Sequence, residues 1–146
     1  MLSRNIPSAR RPAKGFTLIE LLVVLAILVL LAGLVGPQVL NQLGGAKSKT
    51  ARIQIEDLVQ ATEMFKLDVG RFPSSSEGLQ ALVVEPAGVV GWNGPYLRRR
   101  ELPRDPWGND YQYRIPGEYG DIDIFSFGAD GQPGGEGENA VVGSWH

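Results

Sequence analysis

The sequence contains no cysteine and only one histidine, His146, which is its last residue. Without cysteine the fold has no disulfide bond, and cysteine-based zinc, iron–sulfur and thiol chemistry are excluded. Catalysis of the Ser-His or Cys-His kind needs a histidine held beside a nucleophile, so a single terminal histidine argues against it. Asp121 and Asp123 would share one face of an alternating strand as a carboxylate pair, but two solvated surface acids explain them equally well. We therefore expect a protein that is not an enzyme.

Charged residues are missing from a long stretch near the N-terminus, where no ionisable side chain occurs between Glu20 and Lys47. Ahead of this stretch, residues 1–15 contain four basic residues and no acid. The basic residues are Arg4, Arg10, Arg11 and Lys14. The rest of the chain has ten basic and sixteen acidic residues, a net charge of −6. A mildly acidic domain of this kind argues against nucleic acid as a partner.

The uncharged stretch has the length and composition of a membrane-spanning helix, which we assign to residues 16–40. An acid in the middle of such a helix costs about 2.5–3.5 kcal/mol, so Glu20 is a functional-site hypothesis that needs a partner. A Sec signal peptide is one alternative, but the apolar run 21–35 is long for it and no clean small-x-small cleavage site follows. A plain signal anchor is another alternative, and it gives Glu20 no role.

Hydrophobic periodicity predicts one long helix from Thr17 to about Gly70. Its first half is apolar on all sides, as a membrane helix requires, and its second half is amphipathic. The apolar face of the second half contains Ile55, Leu58, Val59, Thr62, Phe65 and Val69. Gly33, Gly36 and Pro37 are weak points of the first half, and a static kink there is one interpretation.

The second half of the chain is rich in glycine and proline, which predicts loops around a small sheet. Alternating side chains predict strands at 111–115 and 121–127, and a turn at 116–118 joins them into a β-hairpin. One more short strand would complete the sheet. The predicted fold class is therefore α+β, with a long N-terminal helix packed on a small antiparallel sheet that has long loops.

Three local features complete this half of the chain. A short helix is predicted to start within 74–78, with Ser75 or Ser76 as its cap before Leu79, Leu82 and Val83. The side chains expected to pack the sheet on the long helix are Trp107, Tyr111 and Tyr113. The basic run 98–100 is interpreted either as a solvated loop or as a contact for an anionic partner.

A short motif at the start of the apolar segment resembles the processing site of the type IV pilin-like family, and it reads Gly15-Phe16-Thr17-Leu18-Ile19-Glu20. The resemblance implies that a prepilin peptidase removes residues 1–15 as a basic leader by cutting between Gly15 and Phe16. Phe16 is then N-methylated. It also implies that Glu20 faces the N-terminal amine of a neighbouring subunit in a fibre, where neither charge remains alone in a low dielectric. In such a fibre the segment 33–37 is expected to melt, although it is helical in the membrane.

The C-terminal half resembles one branch of that family, the major pseudopilin of type II secretion. The matching pieces are Gly94-Pro95-Tyr96-Leu97, Leu102-Pro103-x-Asp105-Pro106-Trp107-Gly108-Asn109-x-Tyr111-x-Tyr113, Asp123-Ile124-Phe125-Ser126-Phe127-Gly128-Ala129-Asp130-Gly131 and the ending Gly143-Ser144-Trp145. Together they extend the resemblance from about Gly15 to Trp145. The resemblance implies a bacterial inner-membrane protein with a single span, residues 16–40, and a periplasmic globular domain, residues 41–146.

The same resemblance implies a structural role in protein export. Copies of the chain would polymerise into a helical fibre, the pseudopilus, that drives folded proteins across the outer membrane. The implied partners are minor pseudopilins, the prepilin peptidase and an inner-membrane assembly platform. In the fibre, residues 98–100 could meet acids such as Asp57 or Glu63 of a neighbouring subunit. A type IV pilus subunit, a minor pseudopilin and a membrane-anchored calcium-binding module that does not polymerise are the alternatives.

Calcium is the cofactor that the resemblance implies, because the C-terminal loop of that branch binds it. Asp130 and the backbone carbonyl of Phe127 match two family ligands. The family has a second acid shortly before its terminal tryptophan, but residues 139–145 contain no acid here. Candidates to replace it are Glu136, Glu138 and the amide oxygen of Asn139. The alternative is that Asp130 lies in a turn and caps a backbone amide.

Overall fold

The computed structural model describes residues 14–146. These residues form two compact units, one that ends at Val39 and one that comprises Leu40–His146. The first unit consists of the beginning of a long helix. The second contains the rest of that helix, a small sheet and long loops.

Helix α1 spans Leu18–Val69 and has 52 residues, which confirms the predicted long helix to within one residue at each end. It remains helical through Gly33, Gly36 and Pro37. The side chains from Leu18 to Val35 are exposed in the isolated chain. By length and composition this part of α1 could cross a membrane.

The part of α1 in the second unit has one buried face, as the spacing of its apolar residues predicts. Its buried residues are Gly44, Ala51, Ile55, Leu58, Ala61, Thr62 and Phe65. Full burial of a side chain such as Leu58 or Phe65 contributes about 1.5–3 kcal/mol to stability. Thr62 tolerates burial because its hydroxyl donates to the Leu58 carbonyl at 2.6 Å.

After α1 the chain forms a 3₁₀ helix at Gly78–Leu82, where a short helix is predicted. The predicted caps, Ser75 and Ser76, are wrong. Instead the Glu77 carboxylate accepts the Ser74 N–H at 2.7 Å, and the Ser74 hydroxyl accepts the Glu77 N–H at 3.3 Å. This reciprocal pair closes the turn 74–77 that precedes the 3₁₀ helix, whose own N-cap position is Glu77 and has no side-chain cap.

Three short antiparallel strands form one sheet in the order β1-β2-β3. Their bounds are Gln112–Arg114 for β1, Asp123–Ser126 for β2 and Val142–Gly143 for β3. Tyr113 lies opposite Ile124, which confirms the predicted hairpin, and β3 is the additional strand. The strands are shorter than predicted because the turn between them is longer, and the Gly117 N–H donates to the Asp121 carbonyl within that turn.

The hydrophobic core lies between α1 and the sheet, where Ile124 and Val142 join the buried face of the helix. Tyr111 is buried and donates its hydroxyl to Gln54 of α1 at 2.5 Å. Tyr113 donates to the Pro73 carbonyl at 2.8 Å, and burial raises the pKa of Tyr113 to about 12. Burial also raises the pKa of Tyr111. Together with the half-buried Trp107, they confirm that aromatic residues pack the sheet on the helix.

Candidate functional site

The first candidate site lies at the start of α1. Gly15 and Phe16 precede the helix in an irregular, exposed segment, and the Phe16 side chain is 92% exposed. Of the predicted leader, residues 1–13 lie outside the described part of the chain. The peptide bond between Gly15 and Phe16 is therefore open to a processing enzyme.

Glu20 makes a reciprocal pair of hydrogen bonds with Thr17 in the first turn of α1. Its carboxylate accepts the Thr17 N–H at 2.8 Å, and the Thr17 hydroxyl accepts the Glu20 N–H at 3.2 Å. This is a capping box, which satisfies two N–H groups that a helix start leaves free. The Thr-x-x-Glu spacing is a sequence signal for this capping box, so Glu20 has a partner within its own chain as well as the one predicted in a neighbouring subunit.

The second candidate site is a loop near the C-terminus, residues 127–140, hereafter called the C-terminal loop. Asp130 is exposed, and its carboxylate accepts the Gln132 N–H at 3.1 Å. This is the backbone-capping turn proposed as the alternative to a calcium ligand. The hydrogen bond from Gln132 uses one acceptor position of the Asp130 carboxylate, which has several.

The two ends of the C-terminal loop lie side by side. The Ala129 N–H donates to the Glu138 carbonyl at 2.8 Å. Gly128 has a φ of 83°, and a Cβ on it would lie 2.6 Å from the Glu138 oxygen and 2.9 Å from the Ala140 oxygen. Only glycine fits this position, because the atoms around it are backbone. The loop thus brings the segment 127–130 against 138–140.

The oxygen donors of this loop fit calcium in their chemistry. Asp130, Glu136, the Asn139 amide and the Phe127 carbonyl all offer hard oxygen atoms, which calcium prefers. Within residues 14–146 no three acids or histidines are grouped closely enough to hold a metal on their side chains alone. A calcium ion here would therefore depend on carbonyl, amide and water oxygens as well. The Glu138 side chain lies elsewhere, against Gly44 of α1.

A buried hydrogen-bond network around Asp105 supports the C-terminal loop. Its carboxylate accepts the Trp107 and Asn109 N–H groups at 3.1 and 2.8 Å and the Ser126 hydroxyl at 2.5 Å. The Ser126 oxygen in turn accepts the Gly128 N–H at 3.0 Å, and the Asn109 amide donates to the Gly128 carbonyl at 3.1 Å. The turn 105–109 therefore fixes both backbone groups of Gly128, its N–H through Ser126 and its carbonyl through Asn109. Asp-Pro-x-Gly is a turn signal in the sequence, but it does not indicate that the turn supports another loop.

The acids of the hairpin do not form a solvated pair. Asp121 precedes β2 and is exposed, whereas Asp123 lies within β2 and is 1% exposed. Asp123 accepts the Glu118 N–H at 2.6 Å and the Tyr119 N–H at 3.3 Å, so it closes the turn. The interpretation of Asp123 as a solvated surface acid is therefore wrong. Its carboxylate stabilises the turn between β1 and β2.

The basic run 98–100 is exposed throughout. In the described part of the chain, ion pairs of arginine involve Arg71, Arg104 and Arg114 rather than this run. The acids Asp57 and Glu63 are exposed on α1. A contact between neighbouring subunits through these groups stays a prediction.

Comparison with protein families gives two matches. The family described as "Type II secretion system (T2SS), protein G" matches residues 38–145, and the "Prokaryotic N-terminal methylation motif" matches residues 10–36. The second match includes the motif at Gly15, Phe16 and Glu20. Both agree with the resemblance found in the sequence.

Individual proteins of the same kind are similar over almost the whole chain. Type II secretion system core protein G of Vibrio cholerae is 46% identical over 139 residues, which are 93% of this chain and 94% of that protein. The protein of the same description from Pseudomonas aeruginosa is 46% identical over 140 residues, covering 93% of this chain and 97% of that one. The crystal structure of the major pseudopilin from the type 2 secretion system of enterohaemorrhagic Escherichia coli is similar, with a TM-score of 0.62 and 37% identity. That match covers 71% of this chain and 87% of the pseudopilin.

Proposed function

Because the chain belongs to the type II secretion system protein G family, we propose that it is the major structural subunit of a pseudopilus that drives protein export across the outer membrane. The observation that carries the proposal is α1, an apolar helix of membrane length that continues into an amphipathic half beneath a small sheet. The type IV pilus subunit, the minor pseudopilin and the anchored calcium-binding module are less well supported, because the similar proteins are core protein G.

In this proposal the chain is made as an inner-membrane precursor with its basic leader in the cytoplasm and the second unit, Leu40–His146, in the periplasm. The positive charge ahead of the apolar segment favours that orientation. A prepilin peptidase cuts between Gly15 and Phe16 and methylates the new N-terminus. The exposed, irregular backbone at this bond supports the step.

Assembly in this proposal joins many copies into a helical fibre on an inner-membrane platform, with minor pseudopilins as further partners. A head-to-tail interface that does not close generates such a fibre. Glu20 pairs with the amine that cleavage exposes on a neighbouring Phe16. An apolar fibre core strengthens this pair and penalises either charge alone.

Calcium is the proposed cofactor of the C-terminal loop. Asp130, the Phe127 carbonyl and Asn139 would hold it, with Glu136 as the second acid, and the ion would link the two ends of the loop electrostatically. The support is that these ends lie side by side and that their donors are oxygen atoms.

Mass spectrometry of the protein from cells with and without the prepilin peptidase tests the processing route. We expect the loss of residues 1–15 and one added methyl group only when the peptidase is present. An intact N-terminus in both strains would contradict the proposal.

Thermal unfolding of the processed full-length chain in detergent, with calcium or with a chelator, tests the cofactor. Calcium is expected to raise the unfolding temperature, and Asp130→Asn should remove most of that shift while Asp110→Asn retains it. An unfolding temperature that does not respond to calcium would exclude the ion for this chain but would leave the fibre proposal standing.

A further inference from the structure

The buried face of α1 begins at Gly44, four residues after the end of the proposed membrane segment. Gly44 is the one buried position from 40 to 50. A Cβ on Gly44 would lie 2.5 Å from Cγ of Glu138 and 3.0 Å from its Cδ. A Cβ on the neighbouring Gly45 would meet no heavy atom within 4 Å. The absence of a side chain at Gly44 therefore leaves the space that the Glu138 side chain of the C-terminal loop occupies.

Glu138 contacts the C-terminal loop through its backbone and α1 through its side chain. Its carbonyl accepts the Ala129 N–H at 2.8 Å and lies against Gly128, so its backbone fixes the turn that carries Asp130. Its side chain packs on Gly44 of α1. Loss of either contact would remove one of the two restraints on this residue.

The helix is weak at the point where Glu138 packs. Gly44 and Gly45 are adjacent, and glycine is the poorest helix former after proline because it loses the most backbone freedom. The methylene groups of Glu138 cover Gly44, which is buried, whereas Leu43 and Gly45 beside it are exposed. Order in the loop and helical structure at Gly44 therefore support each other.

We propose that Glu138 is a positioning residue that couples the order of the C-terminal loop to the stability of α1 at Gly44. The coupling is reciprocal, because an effect of the loop on the helix requires an equal effect of the helix on the loop. It does not depend on calcium, but any ligand that orders the loop would also stabilise the helix at this point.

Hydrogen exchange of the full-length chain in detergent tests the coupling, with amides 41–48 reporting on the helix and amides 127–131 on the loop. Gly45→Ala is the matched control, because it makes the same change of helix propensity without a contact. We expect Gly45→Ala to slow helix exchange about fivefold and, through the coupling, not to speed exchange in the loop. Gly44→Ala should instead speed exchange in the unmutated loop at least threefold, because its methyl group displaces Glu138.

The reciprocal variant removes the contact from the loop side. Glu138→Ala should speed exchange at amides 41–48 as well as in the loop, whereas Gln132→Ala, at another exposed position of the loop, should leave the helix unchanged. The double variant Gly44→Ala with Glu138→Ala should exchange in the loop no faster than Glu138→Ala alone, because the contact is lost only once. The proposal is overturned if Gly44→Ala behaves like Gly45→Ala, or if Glu138→Ala leaves the helix amides unchanged.

Discussion

At the scale of single residues, Asp105 shows how a buried charge can be stabilised without a cation. It is 4% exposed, and its two oxygens accept three hydrogen bonds from Trp107, Asn109 and Ser126. Such bonds to a carboxylate are stronger than those between neutral groups. Their loss would leave three donors without an acceptor next to Gly128.

Replacement of Asp105 by alanine should lower the free energy of unfolding by about 2–4 kcal/mol, because buried donors then lose their acceptor. Asp110→Ala is the matched control. The Asp110 side chain is 83% exposed and lies 3.7 Å from Arg104, so its loss should cost less than about 1 kcal/mol. Urea unfolding in detergent, followed by near-ultraviolet circular dichroism, measures both values. Equal losses for the two variants would contradict the role given to Asp105.

Glu77 makes stability depend on pH in the acid range. Hydrogen bonds from Arg71 and from the Ser74 N–H lower the pKa of Glu77 from 4.5 to about 2. A lowered pKa stabilises the folded state above pH 4.5, and that contribution is lost as the pH falls toward 2. Because the Arg71 side chain is 47% exposed, we expect only about 1–2 kcal/mol.

Glu77→Gln should therefore reduce the loss of stability between pH 4.5 and pH 2. Acid unfolding curves of the full-length chain measure the effect. Glu85→Gln, at an exposed position, should leave the curve unchanged. A Glu77→Gln curve that coincides with the wild-type curve would show that the ion pair with Arg71 adds nothing in solution.

At the scale of elements, α1 and the hairpin could be predicted because their signals are local and periodic. The buried face from Ala51 to Phe65 follows from spacings of three and four. Alternation of residue types located β2, although all four of its residues are buried. The contact of Glu138 with Gly44 could not be predicted, because it joins residues 94 positions apart and neither residue has a local signal for it. The turn closed by Ser74 and Glu77 was missed for a smaller reason, since three adjacent serines offer the same chemistry.

The C-terminal loop should depend on Gly128 more than on Gly134. Gly134 has a similar φ of 89°, but a Cβ on it would meet no heavy atom within 4 Å. Alanine at Gly134 should cost only the backbone strain of about 1–2 kcal/mol. Alanine at Gly128 should cost at least about 2 kcal/mol more, because it also collides with two carbonyl oxygens. Chemical unfolding of both variants gives the difference, and equal values would mean that the two ends of the loop separate easily.

At the scale of the whole molecule, the proposed function requires one chain to remain in a membrane and later to leave it for a fibre. The apolar side chains of α1 suit both surroundings, whereas the Glu20 carboxylate suits the membrane poorly. The capping box with Thr17 satisfies part of its hydrogen-bonding capacity within a single chain. A capping box needs an oxygen acceptor, but an ion pair with a neighbouring amine needs a charge. The two roles of Glu20 can therefore be separated by substitution.

Glu20→Gln keeps an oxygen that can accept the Thr17 N–H but removes the charge, and Glu20→Ala removes both. We expect both variants to insert into the inner membrane at least as well as the wild-type chain, because an acid costs about 2.5–3.5 kcal/mol at mid-helix. We also expect both to lose fibre assembly, since a neutral side chain cannot pair with the amine of Phe16. Membrane fractionation and chemical cross-linking of cells measure the two steps separately. Normal assembly of Glu20→Gln together with failure of Glu20→Ala would assign assembly to the cap rather than to the charge.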